Sequence, residues 1–199
     1  MSEHRDLTDS DGLHEPKGIS VASNGQVYVA NGFGTGLWKT SLQHVPNTFV
    51  GRFKASTYIT VTAANTPEII DSSIGTWTSE GASGNITLSA NGRLTFLTGG
   101  TYVVTVEGIA SPNSAVGSVN ELQAVQMWNT GIQPSDEESK SIQFYFKRDS
   151  DTRDPTTFGR STPTVFSPGD YIDFFHVGLD NSRDIWYDQI HVSVFQIGS

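Results

Sequence analysis

Five histidines, His4, His14, His44, His176 and His191, are the side chains best suited to move a proton or hold a metal near neutral pH. They are scattered, with no pair at helical i, i+4 spacing and no His-x-His on a strand, so a zinc site would have to be gathered by tertiary structure. Solvent-facing or core histidines are the expectation. Asp9-Ser10-Asp11-Gly12 and Asp149-Ser150-Asp151 look like the start of a calcium loop, yet neither is completed by a glutamate at the twelfth position. Both read as acidic turns. The run Gly32-Phe33-Gly34-Thr35-Gly36 follows a strand-like segment, but Leu37-Trp38-Lys39 opens no helix whose N-terminus would hold a phosphate. There is no cysteine and no Gly-x-Ser-x-Gly elbow, so the usual nucleophile signatures are missing. Asp170, Asp173, Asp180, Asp184 and Asp188 are numerous enough to contain a catalytic carboxylate pair, although as turn residues they read more simply as solvated. The expectation is a protein that is not an enzyme and uses no cofactor and no metal.

Charge narrows the partners. Twelve Lys and Arg against 21 Asp and Glu give a net charge of -9, which removes the counterion release that drives nucleic-acid affinity and opposes adhesion to anionic membranes. No nucleic acid and no membrane are expected as partners. No stretch offers 18 consecutive apolar residues, and the first residues lack the apolar core of a signal peptide. Synthesis in a cytoplasm without export is the corresponding expectation. Only 17% of residues are charged, with 20 Gly and 8 Pro, against a usual charged share of about 25%.

The elements fall into three stretches. Residues 1–18 carry Glu3, Asp6, Asp9, Asp11 and Glu15 with little that is apolar besides Leu7 and Leu13. They form an extended acidic arm that is either disordered or ordered against a partner. Residues 19–47 hold two short strand patterns around Asn24-Gly25 and Asn31-Gly32 turns. This small β module is below the roughly 40 residues that own a core. Residues 48–199 read as one all-β domain, with strands expected near 49–53, 57–63, 85–89, 93–97, 101–110, 121–128, 141–147, 164–166, 170–178 and 188–197. Period-two alternation in TYVVTVEG and IHVSVFQI is the pattern of a sandwich or barrel. Helical turns are expected only near 118–122 and 134–139. Trp77, Trp128, Trp186, Tyr171, Phe174, Phe175 and Phe195 contain enough aromatic surface for a sugar-stacking platform, though most read as core. In 171–177 both strand faces bear large groups, which describes a strand covered on both sides. A neighbouring subunit is the expected second cover.

Two blocks carry a resemblance. NGRLTFLTGGTYVVTVEGIAS, with Gly92, Phe96, Gly100 and Tyr102, and FSPGDYIDFFHV followed by the closing IHVSVFQIGS are similar to the jelly-roll family of tumour necrosis factor and the globular heads of complement and collagen-like proteins. The resemblance implies a jelly-roll β-sandwich and a compact homotrimer, with Tyr102, Phe174, His176 and Phe195 at the trimer interface. LHEPKGISVASNGQVYVANGFGTGLWKTS resembles a segment of tailed-bacteriophage virion proteins, through His14-Glu15-Pro16-Lys17-Gly18, Val27-Tyr28-Val29-Ala30 and Gly34-x-Gly36-x-Trp38. It implies a particle-anchoring arm built on Leu7, Leu13, His14, Glu15, Pro16, Lys17 and Trp38. Together these imply a head decoration or head fibre of a virion, partnered by the major capsid protein or another virion protein and by copies of itself. The alternative is a tail-fibre tip that recognises host surface glycan through loops such as 113–120 or 149–160.

Overall fold

The computed structural model describes residues 26–30, 36–40 and 47–198, apart from Ser83, Asp136, Glu137, Ser139 and Ser150. The chain divides into two units, Met1–Val45 and Pro46–Ser199. In the first, β1 (Gln26–Ala30) and β2 (Gly36–Thr40) pair antiparallel, with Tyr28 opposite Trp38. Leu7, Leu13, His14, Glu15, Pro16 and Lys17 lie outside the described residues.

The second unit is built from β3 (Thr48–Ala55), β4 (Pro67–Ile69), β5 (Gly75–Ala82), β6 (Ile86–Leu88), β7 (Leu94–Phe96), β8 (Gly100–Pro112), β9 (Glu121–Asn129), β10 (Ser141–Phe146), β11 (Thr156–Phe166), β12 (Tyr171–Gly178) and β13 (Ile185–Gly198). One sheet has the order β11-β8-β13-β3-β5, and the other β10-β9-β12-β7-β6, with β4 also pairing with β12. Every pairing is antiparallel. From β7 onward the chain crosses repeatedly between the sheets, β7 to β8, β8 to β9, β10 to β11, β11 to β12 and β12 to β13. An all-β sandwich of two antiparallel sheets wound this way is a jelly roll. No helix occurs among the described residues, and Leu122, expected in a helical turn, lies in β9.

Alternation makes the core. In β8 Tyr102, Val104, Val106 and Ala110 are fully buried, and in β13 Ile185, Tyr187, Ile190, Val192 and Val194 face the same interior. From the other sheet come Leu94, Phe96, Val125, Met127, Ile172 and Phe174. Phe96 stacks on Phe166 at 3.7 Å between ring centroids, and Trp77 stacks on Phe174 at 5.1 Å. Gly92 has φ +83°, and a Cβ there would stand 2.3 Å from Trp77 Nε1. The tight turn before β7 therefore needs glycine twice over, for its backbone angle and for the indole beside it.

Three expectations change. Residues 57–63 do not form a strand: Ile59 and Val61 are buried, which produced the alternation, but Ile59 makes only an isolated bridge to Ile185. The strands β4 and β5 are present where none was expected, because on a sheet edge few positions need to be apolar; in β5 only Gly75 and Trp77 are buried. Finally, β11 starts at Thr156 and not at 164, with Pro163 inside it. An edge strand tolerates that proline, since its missing N–H removes no bond from a further neighbour.

Candidate functional site

Three of the four residues expected at a trimer interface are inside the sandwich. Tyr102 is buried against Phe96 and Phe166, and its hydroxyl donates to Thr98 O at 3.0 Å. Phe174 lies under Trp77 of the opposite sheet. His176 is buried too, with Nδ1 2.9 Å from the Tyr187 hydroxyl. Burial lowers the His176 pKa to about 3 and raises that of Tyr187. The imidazole is neutral at pH 7 and structural in position. Tyr102, Phe174 and His176 therefore cannot touch a neighbouring copy, because their strand parity sends them between the sheets. Phe195 has the opposite parity and is 49% exposed.

The second cover of β12 is also corrected: it comes from the chain itself. Trp128 stacks on Phe175 at 4.1 Å. Arg93 forms a bidentate pair with Asp173, Nε to Oδ1 at 2.9 Å and Nη2 to Oδ2 at 2.8 Å, while its guanidinium carbon stands 3.7 Å above the Tyr171 ring. Gln126 and Ala124, on the outer side of β9, are fully buried. Gln133 Nε2 donates to Gln126 Oε1 at 3.4 Å, bringing the loop after β9 over that face.

The outer face of the five-stranded sheet is different. Across it Pro163 stands opposite Val103, Val103 opposite Phe195, and Phe195 opposite Thr48. Val165 sits opposite Thr101, and Val50 opposite Ser193. Val50 is 42% exposed, Val165 70% and Ile197 56%. Toward the other end the face becomes polar. Thr105 and Ser161 hydroxyls meet at 2.7 Å, Arg52 pairs with Glu80 at 3.3 Å, and His191 is in register with Glu107 on one side and Arg52 on the other. An apolar half with a polar margin is the composition of a protein contact surface.

The carboxylates considered for catalysis are dispersed and engaged. Asp170 accepts from Ser167 N, Asp180 from Leu122 N, Asp184 from Val61 N and Asn113, and Asp188 from Ser111 Oγ and Trp186 Nε1. Asp154 accepts from Asp151 N at 2.8 Å. Among the described residues no three His, Cys, Asp or Glu side chains gather as a metal site would require. Arg183 donates to both oxygens of Glu121 and to Ser114 O, in a polar cleft of about 320 Å³ at one end of the sandwich. A second cleft, of about 400 Å³, opens between the end of β10 and the start of β11. Part of its lining, residues 154–157, lies in the 149–160 stretch, while Tyr145, Phe146 and Lys147 come from β10 and the residue after it.

No protein-family model matches the chain, and no curated protein sequence matches it. Among solved structures it is similar to the Eiger tumour necrosis factor of S. frugiperda, with a TM-score of 0.45 and 10% identity over 76% of this chain and 93% of that one. It is similar to murine APRIL at pH 5.0 (TM-score 0.43, 10% identity, 75% and 99% covered). The globular domain of the zebrafish complement 1qA protein is comparable, at TM-score 0.43 and 9% identity over 76% and 97%. The jelly roll itself is read from this chain's strand order.

Proposed function

We propose that the protein is a structural component of a bacteriophage particle, in which residues 1–47 attach to the capsid exterior and the jelly roll projects as a homotrimer, as head decoration or a short head fibre. One observation carries the self-association: the exposed apolar residues Val50, Val165, Phe195 and Ile197 around half-buried Val103 on the five-stranded sheet. The particle role rests on the resemblance read in the sequence of residues 13–41 alone. A decoration protein of this kind stabilises by binding the assembled shell and not its free subunits, and three linked arms add avidity. Light scattering of the purified protein should give about three times 21.6 kDa; a stable monomer at micromolar concentration would overturn the trimer. Deleting residues 1–18 should leave a soluble trimer that no longer binds particles. Unchanged occupancy on virions after that deletion would remove the arm from the reading.

A second reading, a receptor-binding tip that grips host glycan, is favoured by the cleft beside β10. Blocking of phage adsorption by the purified protein supports it. Binding to bare capsids with no effect on adsorption supports the head instead.

A further inference from the structure

The strand β10 is an edge of one sheet and β11 an edge of the other. Where the chain passes between them, Tyr145, Phe146, Lys147, Asp154, Pro155, Thr156 and Thr157 line the cleft of about 400 Å³. That volume lies within the roughly 300–1,000 Å³ of small-ligand sites. Alternation along β10 buries Phe144 and Phe146 and turns Tyr145 outward, where it is 53% exposed. An unshielded aromatic ring thus stands beside an ammonium, a carboxylate and two hydroxyls.

We propose that this cleft binds a pyranose ring of a surface saccharide. The carbon-bound hydrogens on one face of a pyranose suit the electron-rich face of a phenol ring. Its hydroxyls need donors and acceptors at its edge. Lys147 offers donors only, Asp154 acceptors only, and Thr156 and Thr157 both. A wholly apolar ligand would strip water from Lys147 and Asp154 without replacing their hydrogen bonds, and a polyanion would meet the Asp154 carboxylate.

The loop that joins the two sides of the cleft is fixed by contacts outside it. Asp149 and Arg153 adopt left-handed φ of 58° and 69°, conformations that the surrounding structure must sustain. Asp149 N donates to Gly117 O and Arg153 N to Pro112 O, both at 3.0 Å, and Arg148 N to Asn120 Oδ1 at 2.9 Å. Arg153 also donates from Nε to the Tyr58 hydroxyl at 2.9 Å, its guanidinium carbon 4.1 Å above Trp186. A loop held this way loses little entropy on binding.

The inference deepens the second reading above, yet a head-borne protein can carry the same site, so each can fail alone. Saturation-transfer and amide-shift NMR of the full chain, with methyl glycosides of glucose, galactose, mannose, N-acetylglucosamine and rhamnose at about 10 mM, detects dissociation constants into the millimolar range. At least one glycoside should bind and shift residues 145–147 and 154–157. Tyr145→Ala should weaken it about tenfold or more, and Tyr145→Phe, which keeps the ring, should restore most of the loss. Absence of transfer from every glycoside, or binding unchanged by Tyr145→Ala, overturns the site. So does a change of oligomeric mass in Tyr145→Ala, which would assign the ring to a contact between copies.

Discussion

The two sheets of the sandwich treat their outer faces in opposite ways. On the six-stranded sheet the chain covers the large groups of β12 itself, with Trp128 on Phe175 and Arg93 across Asp173 and Tyr171, while Tyr145 and Ile69 on flanking strands stay exposed. On the five-stranded sheet Val50, Val165, Phe195 and Ile197 stand open to solvent. Both faces belong to one chain under the same pressure to hide apolar surface. What differs is whether cover is supplied within the protomer. The bare face is the one on which the contact between copies proposed above would supply the missing cover.

The largest expected effect belongs to the interior that both sheets share. His176 has its pKa lowered from 6.5 to about 3, so its neutral form stabilises the fold fully above pH 6.5. That stability is lost as pH falls from about 6.5 towards about 3, amounting to roughly 4 kcal/mol at the low end. Urea denaturation from pH 7 to pH 3.5 should show the decline, and His176→Gln should flatten it. An equally steep decline in the variant would assign acid sensitivity elsewhere.

On the covered face, Arg93→Ala removes the partner of Asp173, a carboxylate that is 9% exposed. A loss of about 1–3 kcal/mol is expected for leaving it unpaired, and Arg93→Ala with Asp173→Ala should recover part of it. Trp128→Ala uncovers Phe175 and should cost about 1–2 kcal/mol, read as a lowered thermal midpoint. A neutral outcome at both positions would erase the contrast between the faces.

The smallest effect on protomer stability, within about 0.5 kcal/mol, is expected for Phe195→Asp on the bare face. Its effect on association should be large, since it places a charge in the middle of the apolar row. Sedimentation should then show single protomers with an unaltered circular dichroism spectrum. A variant that stays associated would move the contact to another surface.

Much of this architecture is legible in residue order. In β8, Thr105 and Glu107 share a parity that must face outward, which sends Tyr102, Val104 and Val106 inward; that signal argues against Tyr102 as a contact residue. In β12 no such signal exists, because both parities are bulky and the polar Asp173 is satisfied by Arg93, 80 residues away. The inward direction of Phe174 and His176 is fixed only by pairing with β9 and packing on Trp77 and Tyr187. Phe195 alternates with buried Val194 and Gln196, so its outward direction could be read from Ser193 two positions before it. The Tyr145 cleft depends on two edge strands ending side by side, and neither β10 nor β11 encodes that proximity locally.

The position of β13 has a further consequence for how the molecule reaches this state. It lies between β8 and β3, pairing Ser193 with both Thr105 and Val50. Until β13 is in place, β3 and β8 have no connection and each shows an open edge. Closing a loop of that length before any contact rewards it makes such topologies slow, in the range of milliseconds to seconds. Each of β3 and β8 therefore keeps one open, aggregation-prone edge until β13 arrives, and yield of soluble protein should rise with anything that slows collisions between nascent chains.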